Sequence, residues 1–205
     1  MLVGPDTDDL AELYAVPRRP WLRVNMVSTV DGAATGDSGR SGSINNAADK
    51  RVFDQLRALA DVIVVGAGTA RTEGYGPADR PIVVVSRTGD LPDGLRDAPP
   101  GSVLVQPLDD AVAFKQSLVD RGWTDILCEG GPSLLRDLLD AGIVDELCTT
   151  VVPRLIGGDH PRIVQGPAVD VPLRLQTLLE IDGTLLARWL VSRPRGPRAG
   201  PAAGA

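Results

Sequence analysis

Residues 62–71 read Val-Ile-Val-Val-Gly-Ala-Gly-Thr-Ala-Arg, a β-branched run followed by two glycines and a stretch that favours a helix. Such a run predicts a strand that is buried on both faces of a parallel sheet. The glycines Gly66 and Gly68 leave backbone N–H groups open at the start of the helix, where a phosphate can bind. The third glycine of the dinucleotide-binding fingerprint is missing, because position 71 is arginine. A tight strand-to-helix turn without a ligand is therefore an equal alternative.

The same alternation of short apolar runs and amphipathic stretches extends over most of the chain. Strands are predicted at 22–30, 62–65, 82–85, 103–105, 125–128, 147–152 and 185–191, and helices at 46–60, 112–119 and 133–141. In the helix at 46–60, Asn46 is the expected N-cap and Asp49 lies in the first turn, where an acid interacts favourably with the helix dipole. Strands that alternate with helices predict an α/β fold with a central mixed, mostly parallel sheet. The last two strands have no helix between them and predict an antiparallel edge.

The length of 205 residues suits one domain. We expect a leader at 1–20, the folded domain at 21–191 and a disordered tail at 192–205, because the tail sequence has almost nothing to bury. The N-terminus lacks the apolar run of a signal peptide. No stretch approaches the roughly 20 apolar residues of a membrane span.

Charge and cysteine content exclude several classes of protein. A formal net charge of −6 and a pI near 4.8 argue against a nucleic acid partner, because duplex binders carry a basic surface. Cys128 and Cys148 are too few for a disulfide scaffold, and with one histidine, His160, a structural zinc site is not expected. We therefore expect a cytoplasmic protein without a metal and without a membrane or nucleic acid partner.

The strand predicted at 82–85 ends in Ser86-Arg87-Thr88, and Arg87 lies 21 residues after Gly66. In dinucleotide-binding folds this strand end meets the adenosine ribose, where an acid binds the 2′-hydroxyl of NAD and an arginine accommodates the 2′-phosphate of NADP. Two hydroxyl groups and an arginine, with no acid before Asp90, favour NADPH as the cofactor. The alternative is a solvated turn that binds nothing.

A second glycine turn, Glu129-Gly130-Gly131-Pro132-Ser133, follows the strand predicted at 125–128. Proline suits the first helical turn, and the two glycines expose further backbone donors. Two such turns at the ends of neighbouring parallel strands would bind a pyrophosphate between them. Because Glu129 would repel that anion, we expect its side chain to face the substrate side of the cleft. The alternative is an ordinary acid near a helix start.

The first predicted strand ends in the stretch Asn25-Met-Val-Ser-Thr-Val-Asp31-Gly32. Alternation places Asn25 and Asp31 on the same face of this strand. Ligands bind at the carboxyl ends of the strands in open α/β sheets. We therefore expect Asp31 and Glu129 to share one cleft, as the acids that anchor a substrate or move its proton. Asp31-Gly32 as a simple turn former is the alternative.

Together these motifs resemble the pyrimidine-reductase domain of riboflavin biosynthesis. The resemblance rests on Ser28-Thr-Val-Asp-Gly32, Val64-Val-Gly-Ala-Gly-Thr69, Glu129-Gly-Gly-Pro132 and Asp145-Glu-Leu147, and it covers about residues 20–191. It implies a dihydrofolate-reductase-like three-layer sandwich. It also implies NADPH-dependent reduction of the ribosyl group of 5-amino-6-(5-phosphoribosylamino)uracil, or a related pyrimidine, to ribityl. No deaminase-like zinc domain precedes these motifs, so the stand-alone actinobacterial type is the expected match.

The resemblance implies roles for individual residues as well. The expected cofactor contacts, which include the glycines and hydroxyls derived above, are Ser43, Gly66, Gly68, Thr69, Glu73, Ser86, Arg87, Gly130, Gly131, Pro132, Ser133, Leu134 and Leu135. The expected substrate contacts are Asn25, Ser41, Arg57 and Glu129, with Asp31 in the same pocket.

One stretch departs from the family pattern, which commonly has Asp-Asp-Pro-x-Leu-Thr-x-Arg after the first glycine turn. Residues 72–80 instead read Thr-Glu-Gly-Tyr-Gly-Pro-Ala-Asp-Arg, and Arg80 has no clear equivalent. The cofactor half of the site is therefore better supported than the substrate half. A reductase of another acceptor such as dihydrofolate, and a non-catalytic NADP-binding protein, are the alternatives.

The last predicted strand, 185–191, is apolar and carries Trp189. An exposed strand of this kind at the edge of a sheet would pair with a second copy of the chain, so we expect a homodimer. Burial of the strand within the same subunit is the alternative.

Overall fold

The computed structural model describes residues 2–3 and 9–192. Within these ranges the strands are β1 (Leu2–Val3), β2 (Trp21–Thr29), β3 (Val62–Gly66), β4 (Ile82–Val85), β5 (Val103–Gln106), β6 (Asp125–Cys128), β7 (Glu146–Val152), β8 (Leu173–Ile181) and β9 (Thr184–Val191). The α-helices of these ranges are α1 (Leu10–Leu13), α2 (Ala47–Leu59), α3 (Ala67–Glu73), α4 (Ala111–Val119) and α5 (Pro132–Asp140). Short 3-10 turns lie at Ser41–Ser43 and Asp93–Leu95.

These strands form one sheet in the order β1-β8-β9-β7-β2-β6-β3-β4-β5. Every neighbouring pair from β7 to β5 is parallel, whereas β9 is antiparallel to both β7 and β8. The prediction of an α/β fold with a mixed, mostly parallel sheet is confirmed. In parallel sheets the crossover helices cover both faces, which explains why the β-branched run in β3 has no polar face.

Helices cover the sheet on both sides and make three layers. On one side α4 and α5 pack Leu118 and Leu135 against β2, β3 and β6. On the other side α2 packs Leu56 against Leu127 of β6 and Leu186 of β9. All of these side chains are almost fully buried, and each contributes about 1.5–3 kcal/mol to folding relative to an exposed position.

Helix α2 begins as the sequence predicts, with Asn46 as N-cap accepting a hydrogen bond from the Asp49 N–H at 3.1 Å. Its apolar residues Val52 and Leu56 turn toward the sheet. A flank of the same helix, which includes Phe53, therefore borders the carboxyl ends of the central strands, where ligands bind in this class of fold.

The predicted position of the last strand is wrong. β9 lies between β7 and β8 rather than at the edge of the sheet, so it offers no free strand edge. Strand β8 was not predicted, because residues 173–176 are exposed and lack a buried apolar run. The missed signal is Asp182-Gly183, with φ of +50° and +78°, which forms the tight hairpin turn favoured by Asp-Gly pairs.

The predicted leader takes part in the core where it is described. Leu10 and Tyr14 are buried beside α2, and the Arg18 guanidinium pairs with the Asp145 carboxylate at 2.8 Å. Of the predicted tail, residues 193–205 lie outside the described residues. None of the helices in the described ranges is long and apolar enough to cross a membrane.

Candidate active site

A cavity of about 620 Å³ opens at the carboxyl ends of β2, β3 and β6. This volume is within the range of small-ligand pockets, roughly 300–1,000 Å³. Of the residues predicted for the site, those that line the cavity are Asn25, Ser41, Gly66, Gly68, Thr69, Glu73, Glu129, Gly131, Pro132, Ser133 and Leu134. Most of the predicted cofactor contacts and part of the predicted substrate contacts therefore converge on one space.

The two glycine turns touch each other. The Gly66 N–H donates to the Gly130 carbonyl at 2.8 Å, and the Glu129 N–H donates to the Val64 carbonyl at 2.9 Å. The turns meet because β3 and β6 are parallel neighbours, as the sequence predicts. A side chain at Gly131 would collide with the Thr69 hydroxyl, so the two turns approach this closely because the residue is glycine.

The start of α5 supplies donors to the cavity. Its N-cap is Gly131, which has no side chain to cap the helix, and Pro132 occupies the first helical position. The N–H groups of Ser133 and Leu134 have no acceptor within the helix at these positions. Both residues line the cavity, so their amides and the positive end of the helix dipole fit an anionic diphosphate.

Glu129 is held in a cluster with Arg57 and Tyr75. Its carboxylate accepts two hydrogen bonds from the Arg57 guanidinium, both at 2.7 Å, and one from the Tyr75 hydroxyl at 2.5 Å. The rings of Phe53 and Tyr75 lie 4.4 and 5.5 Å from the centre of the guanidinium. The side chain of Glu129 is only 2% exposed. Burial and the three hydrogen bonds together fix its carboxylate in one orientation.

Electrostatics fix the charges of this cluster. Burial and the neighbouring Glu129 carboxylate raise the pKa of Tyr75 well above its ordinary value, so its hydroxyl stays protonated and donates. Burial opposes the charge on Arg57, but the ion pair with Glu129 outweighs it and the pKa of Arg57 is raised. The predicted substrate contact of Arg57 is therefore indirect in this structure, since its guanidinium is bound to Glu129.

Asp31 does not join Glu129. Its carboxylate accepts hydrogen bonds from the Thr29 hydroxyl and from the N–H groups of Ile156 at 3.1 Å and Gly157 at 2.7 Å. These bonds lower the pKa of Asp31 to about 2, with the Thr29 hydroxyl as the largest cause. Strand β2 ends at Thr29, so alternation does not extend to residue 31. The structure supports Asp31 as an anchor for the 156–157 segment rather than as a cavity acid.

The loop after β2 is held through Ser43 and Glu73. The Ser43 hydroxyl accepts from the Gly36 N–H at 2.9 Å and donates to the Arg40 carbonyl at 2.7 Å. The Glu73 carboxylate accepts from the Ser41 N–H at 2.7 Å. Ser43 does not line the cavity, so its place in the structure is to shape the loop that brings Ser41 to it.

Ser86 and Arg87 lie beside the cavity and not in it. They follow Val85, which pairs with Gly66 in the sheet. Ser86 is buried with its hydroxyl 3.3 Å from that of Thr88, and Arg87 is exposed. Gly130 and Leu135 also do not line the cavity; Leu135 is fully buried in the core.

Asp49 and Phe53 of α2, and Tyr75 in the connection from α3 to β4, line the cavity but were not predicted as site residues. Both residues of α2 share one flank with Arg57, at intervals of four residues. Arg57 was predicted as a substrate contact and does not itself line the cavity. That spacing is the signal that was available, because a carboxylate, a ring and a guanidinium on the flank beside the apolar stripe are not explained by packing alone. Tyr75, in the stretch that departs from the family pattern, lines the cavity as well.

The cysteines and the histidine play no part in the cavity. Cys128 and Cys148 are free thiols within the sheet, and burial raises the pKa of Cys128 to about 12. Among the described residues no three His, Cys, Asp or Glu side chains lie close enough together to hold a metal ion.

Residues 20–186 match one family model, described as the RibD C-terminal domain. The riboflavin biosynthesis protein RibD of Mycobacterium tuberculosis is 29% identical over 171 residues, which cover 73% of this chain and 50% of that protein. The chain thus spans about half the length of this relative. A 2,5-diamino-6-ribosylamino-4(3H)-pyrimidinone 5′-phosphate reductase of Archaeoglobus fulgidus is 25% identical over 206 residues, covering 80% of this chain and 94% of the relative.

Solved structures show the same fold. A pyrimidine reductase-like protein of Corynebacterium diphtheriae has a TM-score of 0.73 at 26% identity and covers 85% of this chain and 92% of its own. A dihydrofolate reductase of Enterococcus faecalis, 15% identical, has a TM-score of 0.60 and covers 85% of this chain and 98% of its own. The predicted dihydrofolate-reductase-like fold is confirmed.

Proposed function

Because the chain belongs to the family of the RibD C-terminal domain, we propose that it is an NADPH-dependent reductase of the riboflavin pathway. It converts the ribosyl group of a phosphoribosylamino-pyrimidine to ribityl. The ring is that of 5-amino-6-(5-phosphoribosylamino)uracil or of its 2,5-diamino counterpart. The observation that carries the proposal is the convergence of two glycine turns and a fixed carboxylate, Glu129, on one cavity.

The residues present fit a dinucleotide. The free amides of Ser133 and Leu134 and the open backbone at Gly131 suit the diphosphate. Ser86 and Arg87 stand at the end of the strand next to Gly66, where the 2′-phosphate of NADPH would lie. When bound, NADPH supplies the hydride.

The chain positions the acceptor carbon, which is C1′ of the open-chain ribosylimine. Three donors from Arg57 and Tyr75 fix the Glu129 carboxylate, which has lone pairs left to accept hydrogen bonds from ribosyl hydroxyls. A carboxylate that is oriented before the substrate arrives needs no reorganisation during the reaction. Asn25 lines the same cavity and adds an amide next to the acceptor.

NADPH oxidation with each candidate acceptor tests the function. We expect turnover with a phosphoribosylamino-pyrimidine and a ribityl product by mass spectrometry. Turnover of dihydrofolate alone would replace the riboflavin-pathway function by a folate one. NADPH binding without turnover of any of these acceptors would favour a non-catalytic NADP-binding protein.

Replacement of Arg87 by alanine tests the choice of nucleotide. We expect the Kd for NADPH to rise about tenfold, because an exposed guanidinium–phosphate contact is worth about 1.4 kcal/mol. The Kd for NADH, which lacks the 2′-phosphate, should stay unchanged and serves as the control. Isothermal titration of both nucleotides measures this, and equal effects on both would contradict the assignment of Arg87.

We also propose a homodimer. Since β9 is not an edge strand, the proposal rests on exposed leucines of β8 and β9 instead. Leu173 and Leu175 of β8 and Leu185 of β9 are each about two-fifths exposed, at 42, 38 and 40%. Leu173 and Leu175 pair with Val191 and Trp189, so they extend one apolar face. Such a contiguous face is typical of an interaction surface. Light scattering should give twice the chain mass of 21.6 kDa, and a monomer at micromolar concentration would contradict the proposal.

A further inference from the structure

Asp49 is a buried acid in the cavity wall, and one of its carboxylate oxygens has no hydrogen-bond partner in the part of the chain that the structure describes. The residue is 6% exposed and lines the cavity beside Asn25 and Val27. Its Oδ1 atom is buried and has no hydrogen-bond partner among the described residues. Buried polar atoms are nearly always paired in folded proteins, so an unpaired acid oxygen in a cavity wall is suited to a hydrogen-bond donor of a ligand.

The neighbouring residues that the structure describes fix the position of Asp49 but provide no hydrogen-bond donor for its Oδ1 atom. The backbone of Asp49 is fixed by the Asn46 cap at 3.1 Å. The hydroxyl of Thr150 on β7, the partner of Val27 in the sheet, favours the charged form of the Asp49 carboxyl. Burial raises the pKa of Asp49, because desolvation disfavours its charged form and outweighs the effect of the Thr150 hydroxyl. The Asp49 carboxylate is therefore a fixed and poorly solvated acceptor for hydrogen-bond donors of a ligand.

The other cavity acids already accept hydrogen bonds from the protein. Glu129 accepts from Arg57 and Tyr75, and Glu73 accepts from the Ser41 N–H. Since Glu129 is assigned to the ribosyl hydroxyls, Asp49 is left for the flat part of the ligand, and its buried Oδ1 has no hydrogen-bond partner within the described ranges. It projects from the first turn of α2, on the flank that also presents Phe53, another cavity residue.

The two candidate pyrimidine rings differ at the edge that an acid would meet. A 2-amino-4-oxopyrimidine presents a ring N–H and an adjacent amino N–H, two parallel donors that match the two oxygens of a carboxylate. A uracil presents one N–H between two carbonyl oxygens, which a carboxylate repels. The same free acceptor therefore favours one ring and disfavours the other.

We propose that Asp49 is the specificity residue of this site and recognises the 2-amino-4-oxopyrimidine edge, so that the 2,5-diamino substrate is preferred to the uracil. This rests on the proposed reductase function. Dihydrofolate carries the same edge, so the chemistry is shared by a phosphoribosylamino-pyrimidine and a pterin, and the test includes both.

Asp49→Asn is the decisive variant because an amide offers one acceptor and one donor, the pattern that pairs with uracil. We expect wild-type kcat/KM to be at least tenfold higher for 2,5-diamino-6-ribosylamino-4(3H)-pyrimidinone 5′-phosphate than for 5-amino-6-(5-phosphoribosylamino)uracil. In Asp49→Asn that ratio should fall at least tenfold. Asp54→Asn, on the exposed side of the same helix, should keep the wild-type ratio.

The kinetic results test the role of Asp49 separately from the proposed reductase activity. A wild-type ratio near or below one, or a ratio unchanged in Asp49→Asn, overturns the inference while pyrimidine turnover still supports the reductase. If Asp49→Asn does not fold, the wild-type ratio alone decides. Reduction of dihydrofolate alone, lost in Asp49→Asn, would support the edge recognition and overturn the pyrimidine as substrate. Turnover of none of the three acceptors overturns both.

Discussion

Glu129→Gln should lower kcat/KM for the pyrimidine substrate about 100-fold. The loss has two sources. A glutamine turns an N–H₂ group toward donors of Arg57 and Tyr75 that now bind the carboxylate at 2.5–2.7 Å. It also removes the charge from bonds to the substrate, each worth about 1.5 kcal/mol when charge-assisted, so that two of them account for the expected factor. Steady-state kinetics at saturating NADPH measures the effect.

The same variant should also be less stable. Breaking a fully buried ion pair costs about 3–5 kcal/mol. The Arg57 side chain is 29% exposed and can be partly solvated, so we expect about 2 kcal/mol, or a fall in Tm of about 6 °C. Asp61→Asn is the matched control. It removes a hydrogen-bonded carboxylate at the other end of β6, so it should lower Tm without changing kcat/KM. Wild-type kcat/KM in Glu129→Gln would contradict the role of this acid.

Gly131→Ala should raise the Kd for NADPH about 100-fold, which corresponds to about 2.7 kcal/mol. The added methyl group meets the Thr69 hydroxyl, and both residues line the cavity. Either the Thr69 hydroxyl must rotate toward the cavity or the first turn of α3 must move away from the start of α5, and both changes should disturb a diphosphate bound between the two helix starts. Titration of NADPH by fluorescence or calorimetry measures the change.

Gly76→Ala is the control for this variant, because a methyl group there lies 3.9 Å from its nearest neighbour and away from the cavity. We expect its Kd to match that of the wild type. Circular dichroism should show folded protein for both variants. An unchanged Kd in a folded Gly131→Ala protein would show that the nucleotide does not approach this turn.

The part of the site that was predictable from the sequence is the part set by neighbouring residues. The buried strand at 62–65, the glycine turn after it and the turn at 129–133 each carry a local signal, and the parallel order of β3 and β6 brings them together. The cap at Asn46 was predictable for the same reason, since it depends on residues 46–49 alone.

The part that was not predictable depends on contacts between distant residues. Glu129 and Arg57 are 72 residues apart, and nothing near either one shows that they neutralise each other. Asp31 was placed in the cavity because strand alternation was continued two residues past Thr29, where the chain has already turned. The first-turn position of Asp49 is explained by the helix dipole alone, which concealed that the carboxyl also lies in the cavity wall.

The backbone hydrogen bonds between the two glycine turns connect the proposed nucleotide site directly to Glu129. The backbone hydrogen bonds Gly66–Gly130 and Glu129–Val64 join residues 129 and 130 to β3, the strand that leads into helix α3. A displacement of the turn at Gly66 would therefore also displace the backbone of Glu129, because hydrogen bonds join the two directly. If NADPH and the pyrimidine bind as proposed, the binding of one ligand should therefore change the affinity of the site for the other.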